Sequence, residues 1–180
     1  DPAVPDDFFT DTLDRGLLQE KIDVAVHSAK DLPKKMREGL SLFALTESLD
    51  ERDAFVGKLK LAQLPKGAKV GTSSPLRKLE VLKINPKVKL VDIRGNMEER
   101  LKLLQEGKCD GLIAAACALK RLKLDYLITE ILPYEATPLQ GQLAVVGRVS
   151  DQELKGMFAA IDVRRRFGSV TLVGAGPGDP

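Results

Sequence analysis

Three strand-then-helix repeats follow one another in the middle of the chain, and this succession limits the possible folds more than any other feature. Apolar strand runs end at Val70, at Ile93 and at Cys117, and apolar residues at helical spacing follow each run. A helix after every strand allows the next strand to lie parallel to the one before it. The segment therefore predicts a mainly parallel α/β sheet.

Local signals predict where two of these helices begin. Ser74 is followed by Pro75, the usual order of an N-cap residue and a first helical residue. Asn96 and Glu99 form a capping box that predicts a helix from Met97 to Gln105, ending before Gly107. In the helix before it, Leu76, Leu79 and Leu82 are predicted to lie on one side.

Further elements are predicted on both sides of the repeats. Phe9, Leu13 and Leu17 have helical spacing after an acidic start at Asp6 and Asp7. The other predicted features are an alternating strand at Ile22, Val24 and Val26, an apolar run at 40–45, strands at 53–56 and 143–146, and a capping box at Ser150 and Glu153.

Two changes of composition divide the chain into lobes. The acidic stretch 47–53 marks the first boundary, and the segment with Pro133, Pro138 and Gly141 marks the second. Since only one strand-helix pair follows the second break, we expect it to return to the first lobe. The predicted lobes are residues 1–47 with 140–167, and residues 48–139.

The composition excludes several classes of function. Of 180 residues, 43% are apolar and 30% are charged, which is typical of a folded protein, and the net charge of +2 does not favour general binding to nucleic acid or membranes. Cys109 and Cys117 suit neither a disulfide framework nor a zinc site, so no metal is predicted and a reducing cytoplasm is expected. No apolar run has the length of a membrane span.

Polar and basic residues follow three of the predicted strands. In open α/β sheets, ligands bind outside the carboxyl ends of the strands, and a helix N-terminus and arginines bind carboxylates or phosphates. The sequence therefore predicts a cradle for a small polyanion, a binding site in which these loops surround one cleft. The alternative is that the same residues are solvated surface charges that bind no ligand. The residues are Ser28, Lys30, Asp31, Ser73, Ser74, Arg77, Arg94, Arg100 and Arg121.

Simple structural roles are expected for three other residues. His27 is the only histidine, and we expect it to form a structural hydrogen bond rather than to take part in catalysis. Cys109 and Cys117 lie in an apolar stretch without a group that would lower a thiol pKa, which favours core positions over nucleophiles.

Several segments closely resemble the porphobilinogen deaminase (hydroxymethylbilane synthase) family. These segments are IDVAVHSAKDLP, KVGTSSPLRKLEVLKINPKVKLVDIRGNMEERLKLLQEGKCDG and ALKRL, and the resemblance extends from about Phe8 to Ile161. It implies a two-lobed fold like that of type II periplasmic binding proteins. It also implies a reaction in which porphobilinogens are joined, with loss of ammonia, into a linear tetrapyrrole that grows on a dipyrromethane cofactor.

The resemblance also implies roles for the residues of the predicted cradle. Asp31 matches the family's catalytic carboxylate, which would stabilise the positive charge that develops when ammonia leaves. The other residues match contacts to the carboxylates of cofactor and substrate, namely Ser28, Lys30, Ser73, Ser74, Arg77, Arg94, Arg100 and Arg121.

The chain also departs from the family pattern. Leu76 stands where an arginine is expected, and Leu143 replaces a glycine in the motif PLQGQLA. A basic loop before Phe8 and the third domain with its cofactor cysteine are expected to be absent, so the first lobe is predicted to be incomplete. Because neither cysteine of this chain matches the attachment motif, we expect no covalently attached dipyrromethane.

The last residues, SVTLVGAGPGDP, resemble the first strand and glycine-rich loop of uroporphyrinogen III methyltransferase. Residues 168–180 are therefore predicted to be a linker and the start of a fused methyltransferase-like domain. An alternative is that Val170–Val173 occupies the place of the missing first strand of the sheet.

Two functions follow as hypotheses. The first is a deaminase module of tetrapyrrole biosynthesis that binds porphobilinogen or a linear tetrapyrrole and whose catalysis is impaired in this chain alone. The second is a non-catalytic domain that binds pyrrole carboxylates, or docks partner domains, within a pathway fusion protein. An ordinary binding protein for a small anion would leave the specific loops VHSAKDLP and RGNMEERL unexplained.

Overall fold

The computed structural model describes residues 8–33 and 35–166. The predictions made for Asp6 and Asp7 and for residues 168–180, including Val170–Val173, lie outside these residues. Contacts between Cα atoms divide the chain into two compact units. Of the described residues, unit 1 contains 8–27, 31–33, 35–47 and 143–166, and unit 2 contains 28–30 and 48–142.

Unit 1 contains a three-stranded sheet. Its elements are α1 (Phe8–Leu18), β1 (Val24–Ser28), β2 (Leu40–Leu45), β8 (Leu143–Arg148) and α5 (Gln152–Met157). The strand order is β1-β8-β2, and β2 pairs antiparallel with β8 from Leu40 opposite Arg148. The strand-helix pair after residue 142 thus packs in the same unit as α1.

Unit 2 contains a five-stranded sheet with helices. Its strands are β3 (Asp53–Gly57), β4 (Lys69–Gly71), β5 (Lys89–Val91), β6 (Gly111–Ala115) and β7 (Glu130–Ile131), and its helices are α2 (Pro75–Ile84), α3 (Met97–Gln105) and α4 (Ala116–Arg121). The order is β5-β4-β6-β3-β7.

The parallel prediction is confirmed for the three repeats but not for the whole sheet. β4 pairs parallel with β5 and with β6, whereas β3 pairs antiparallel with β6 and with β7. The antiparallel strands lie outside the strand-then-helix repeats, one before the first repeat and one after the last, so no crossover helix fixes their direction.

The core of unit 2 covers both faces of its sheet. Phe55 and Ile113 pack with Val81 of α2 on one face, and Ala54 and Leu112 pack in a separate cluster on the other. Alternate strand residues point to opposite faces, so β3 and β6 contribute to both clusters. All five residues of β6 are buried, as the apolar run predicted.

The helix starts at Ser74 and Asn96 are confirmed, but the start of α5 is not at Ser150. The Ser74 side chain accepts a hydrogen bond from the Arg77 backbone N–H, and Asn96 and Glu99 form the complete capping box. For α5 the N-cap is Asp151, whose carboxylate accepts a hydrogen bond from Leu154 N at 3.0 Å. A carboxylate competes well with the neighbouring serine hydroxyl for this position, so the helix begins one residue later than predicted.

The leucines of α2 do share a side, but that side is exposed. Leu76, Leu79 and Leu82 are 38–62% exposed, whereas Val81 and Arg77 of the same helix are buried. Helical spacing alone therefore identified a stripe but not its environment.

Candidate functional site

The segment Ser28–Asp31 follows β1 directly and carries three of the predicted site residues. Ser28 is the last residue of the strand and is exposed, and Ala29–Asp31 form one turn of 3-10 helix. The Lys30 ammonium donates a hydrogen bond to Gln140 Oε1 at 3.1 Å. Asp31, the predicted catalytic carboxylate, is exposed. It belongs to unit 1, whereas Ser28–Lys30 belong to unit 2.

The loop between β4 and α2 holds the two predicted serines. Ser73 Oγ donates to the carbonyl oxygen of Ile93, which joins this loop to the loop after β5. Ser74 caps α2 with its side chain. Both hydroxyls therefore have partners inside unit 2, and they hold the N-terminus of the helix in place.

Arg77 lies in the first turn of α2, and it is buried. Its Nε donates to Asp53 Oδ2 at 2.9 Å, and its Nη2 donates to Asp53 Oδ1 at 2.6 Å and to Gln140 Oε1 at 3.2 Å. The two-pronged pairing satisfies one edge of the guanidinium and one whole carboxylate. Tyr134 also donates to Asp53 Oδ2, at 3.3 Å, and burial together with the Asp53 charge raises the pKa of this phenol.

Arg100 is the second guanidinium close to this network. It is half-buried, and its Nε donates to the carbonyl oxygen of Gly95 at 2.9 Å. Burial, and then the positive charge of Arg77, lower the pKa of Arg100. Among residues 8–33 and 35–166, no carboxylate forms an ion pair with Arg100. The positive charge of Arg77 thus disfavours the charged form of Arg100, and of these two arginines only Arg77 has an acidic partner within the described residues.

The remaining two arginines are exposed. Arg121, at the end of α4, donates from Nη2 to the carbonyl oxygen of Gly141 at 2.6 Å. In the part of the chain that the structure describes, the Arg94 side chain forms no hydrogen bond or ion pair. Arg94 extends from the loop that Ser73 joins to the start of α2.

Two buried residues of this region were not predicted as site residues. Asp53 and Gln140 are each only 1% exposed. Asp53 stood in the acidic stretch that marked a domain boundary, and Gln140 stood in the second break. The aspartate directly before the apolar residues 54–56 is a signal that could have indicated a partner for an arginine, because a carboxylate at the start of a buried strand is rarely without one.

A second charge cluster lies on the segment before β3. Asp50 accepts hydrogen bonds from Arg52 Nε at 2.9 Å and from Lys120 Nζ at 2.7 Å. The Arg52 hydrogen bond, despite the opposing effect of burial, holds the pKa of Asp50 well below its usual range. This carboxylate is therefore charged at neutral pH and keeps both cations occupied.

A pocket of about 570 Å³ lies beside this region in unit 2. The segment 134–140, Gln142 and three residues before β3 line it. Among the residues that line it, two carboxylates, Glu51 and Glu135, outnumber one arginine, Arg52, so the lining has no excess of positive charge.

The remaining observations concern the cysteines, the histidine, possible metal ligands and membrane-spanning helices among the described residues. Cys109 and Cys117 are free and buried, and burial raises the pKa of the Cys109 thiol. His27 is buried, and its Nε2 atom has no hydrogen-bond partner, so the expected structural hydrogen bond does not form through that atom. The described ranges contain no group of three potential metal ligands and no helix of the length and apolarity needed to cross a membrane.

Solved structures with a similar fold define the class first. A TRAP periplasmic solute binding protein from Desulfovibrio salexigens has a TM-score of 0.50 at 17% identity over 85% of this chain and 57% of its own. A putative methionine-binding lipoprotein from Bacillus subtilis has a TM-score of 0.50 at 14% identity over 79% of this chain and 70% of its own. The chain thus has the α/β fold of periplasmic-binding-protein-like molecules.

Sequence comparison then identifies the family. The model for the dipyromethane cofactor binding domain of porphobilinogen deaminase matches residues 4–156. The porphobilinogen deaminase of Geobacter sulfurreducens is 42% identical over 82% of this chain and 48% of its own length, and that of Roseiflexus is 40% identical over 86% and 52%. The chain belongs to the porphobilinogen deaminase family of tetrapyrrole biosynthesis, and it spans about half the length of the curated relatives it matches.

Proposed function

We propose that this chain binds acid-bearing pyrroles through the cationic residues of unit 2, as the carboxylate-binding part of a porphobilinogen deaminase. The observation that supports this most strongly is the pair Arg77 and Arg100, two cations of which, within the described residues, only Arg77 has an acidic partner. A bound anion beside Arg100 would relieve their repulsion, because an opposite charge nearby favours the charged form of a guanidinium.

The chemistry of the ligand matches these donors. Porphobilinogen carries an acetate and a propionate, and a linear tetrapyrrole carries four of each. Arg94 in the loop after β5, Arg100 in α3 and Arg121 in α4 offer fork-shaped donors in unit 2. We propose that they bind carboxylates together with Lys30 and Arg77, and that the hydroxyls of Ser28, Ser73 and Ser74 keep the roles that the family resemblance implies.

Dipyrromethane, the cofactor of this family, bears the same acidic side chains, and the cationic cluster of unit 2 fits such a group. When bound, the cofactor supplies the pyrrole end to which new units are added. We propose that Arg100 and Lys30 hold its carboxylates, and that neither cysteine of this chain forms a thioether with it. Both thiols are buried, and burial keeps the Cys109 thiol protonated.

Asp31 is proposed as the catalytic carboxylate. When the substrate C–N bond breaks, ammonia leaves with the electron pair and a positive charge remains on the pyrrole. A fixed carboxylate close to that charge lowers the barrier electrostatically. Asp31 is exposed at the end of a 3-10 turn, so its carboxylate is open to a ligand.

We propose that catalysis by this chain is weaker than in its relatives because of one substitution. The family resemblance places an arginine at position 76, where this chain has Leu76, 38% exposed at the start of α2. The leucine cannot bind a carboxylate, so one charged contact to the ligand is missing. From the resemblance of the last residues, we also propose a fusion to a methyltransferase-like domain. The two free cysteines favour a location in the reducing cytoplasm.

The test is calorimetric titration of the full chain with porphobilinogen. We expect Arg100→Ala to weaken binding about tenfold to a hundredfold, because one charge-assisted hydrogen bond contributes roughly 1.5 to 3 kcal/mol. The matched control is Arg165→Ala, which removes an exposed arginine of unit 1 and should leave the affinity unchanged. Absence of binding heat for the unaltered chain, or an equal loss in both variants, would contradict the proposal.

The second candidate is a pyrrole-binding domain without catalysis inside a fusion protein. The observation that favours it is the Asp53–Arg77 pair, which already commits one of the predicted ligand-binding arginines to an internal partner. The titration with porphobilinogen, followed by an assay for released ammonia, separates the two candidates. Binding without ammonia release supports the second, whereas ammonia release that Asp31→Ala abolishes supports the first.

A further inference from the structure

Gln140 occupies a backbone position that fixes its side chain inside unit 2. Its neighbours Leu139 and Gly141 have φ angles of 64° and 85°, so the chain turns sharply on both sides of it. Only glycine fits at 141, since a Cβ atom there would lie 2.3 Å from Ser48 Oγ. The left-handed conformation is costly for Leu139 and persists where the surrounding structure requires it. The Gln140 side chain is 1% exposed as a result.

The hydrogen bonds of Gln140 also fix the orientation of its amide. The Nε2 group lies near three acceptors, the carbonyl oxygens of Glu51 and Arg52 at 2.8 and 3.2 Å and Asp53 Oδ1 at 2.9 Å. Only the NH2 side of an amide can donate to these atoms. The amide oxygen must therefore point away from them.

On its other side, the amide oxygen contacts two cations. Gln140 Oε1 accepts hydrogen bonds from Lys30 Nζ at 3.1 Å and from Arg77 Nη2 at 3.2 Å. These residues come from separate parts of the chain, the turn after β1 and the first turn of α2. The Gln140 Oε1 atom thus holds the Lys30 ammonium and the Arg77 guanidinium close enough together for one carboxylate of a ligand to contact both.

The neutrality of this residue matters for the charge of the region. Asp53 already balances Arg77, whereas no carboxylate of the described residues forms an ion pair with Arg100. A glutamate at 140 would add a negative charge beside these cations and would repel Asp53. An apolar residue would remove the acceptor that Lys30 and Arg77 share. An amide supplies that acceptor without adding a charge.

We propose that Gln140 is a positioning residue that sets the spacing of Lys30 and Arg77 for one carboxylate of the pyrrole ligand. This inference rests on the proposed function of the cationic cluster. Gln140 itself does not touch the ligand, and it acts through the two side chains that it orients.

The test compares Gln140→Leu, Lys30→Met and the double variant in the full chain, with porphobilinogen as the titrant. We expect each single change to weaken binding about tenfold. The double change should weaken it by much less than the product of the two losses, because residues that act as a unit are not additive. Gln105→Leu, a change of an exposed glutamine at the end of α3, is the matched control and should bind normally.

A second measurement needs no ligand. The rate at which acetic anhydride modifies Lys30, read by peptide mass spectrometry against exposed Lys58, should rise about threefold in Gln140→Leu because the amine loses its hydrogen bond to Gln140 Oε1. Should that variant not fold, Gln140→Glu keeps the size of the side chain. Its charge neutralises the cations, so it should weaken binding at least as much.

The outcomes separate this inference from the function on which it rests. If Arg100→Ala weakens binding while both Gln140 variants bind within twofold of the unaltered chain, the positioning role is wrong and the cationic site stands. The positioning role is also wrong if the losses in the double variant multiply fully or if acetylation of Lys30 does not change. If the unaltered chain does not bind porphobilinogen, both fail.

Discussion

Asp14 is a buried acid whose charge is unfavourable for folding. It lies in α1 and is 7% exposed, and burial raises its pKa even though His27 and then Arg37 oppose the shift. The folded state therefore holds the proton more tightly than the unfolded state does. Stability from this group is fully present below the ordinary pKa of 3.8 and is lost as pH rises through the raised value.

We therefore expect Asp14→Asn to raise the free energy of unfolding at pH 7 by up to about 1 kcal/mol, since burying an uncharged amide costs less than burying a carboxylate. Urea denaturation at pH 7 and near pH 3 measures this, and the difference should vanish at the lower pH. Asp125→Asn, at an exposed aspartate, should show neither effect. A loss of stability at pH 7 would mean that attraction to His27 and Arg37 outweighs burial.

At the scale of the element, β6 depends on the absence of a side chain at its first residue. Gly111 lies opposite Gly57 of β3, and a Cβ atom on it would lie 2.1 Å from the ring of Phe55. Phe55 is fully buried and belongs to the core of unit 2. The ring cannot move away without displacing its neighbours, since protein interiors are close-packed.

We expect Gly111→Ala to lower the free energy of unfolding by about 1 to 3 kcal/mol, the usual cost of overpacking a core. The control is Gly156→Ala in α5, where a Cβ atom meets nothing within 4 Å. That change should be neutral or stabilise by up to about 1 kcal/mol, because alanine favours helices. Urea denaturation of both variants gives the comparison, and equal stabilities would contradict this account of β6.

Elements with strong local signals were predictable, and contacts between distant segments were not. The bounds of α3 follow from a capping box and a glycine, which all lie between Asn96 and Gly107. In contrast, the partner of Arg77 is Asp53, 24 residues away, and only the pairing of β3 with the repeats brings them together. The stripe on α2 was predicted but not its exposure, because exposure depends on which helix face meets the sheet.

At the scale of the whole chain, there are two thiols, and we propose that neither holds the cofactor. Cys109 precedes β6 and Cys117 lies in α4, and both are buried in unit 2. A buried thiol that stays protonated is a poor nucleophile. The same two residues were predicted as core residues from the apolar stretch around them.

We expect the intact mass of the full chain to remain unchanged after incubation with porphobilinogen and removal of free ligand. Mass spectrometry of the denatured protein makes this measurement. The control is incubation with an excess of a small thiol reagent after unfolding, which should label both cysteines and show that they are chemically intact. A mass increase equal to a dipyrromethane, mapped to either cysteine, would refute this prediction.

The pairing of Arg77 with Asp53 has a consequence for the descent of such a molecule. Loss of either side chain alone leaves a charge in the interior without its counterpart, a change that commonly costs 3 to 5 kcal/mol in proteins, roughly half of a typical domain's stability. Exchange of both for uncharged residues of similar size avoids that cost. We therefore expect lineages to keep the two together or to replace them in close succession.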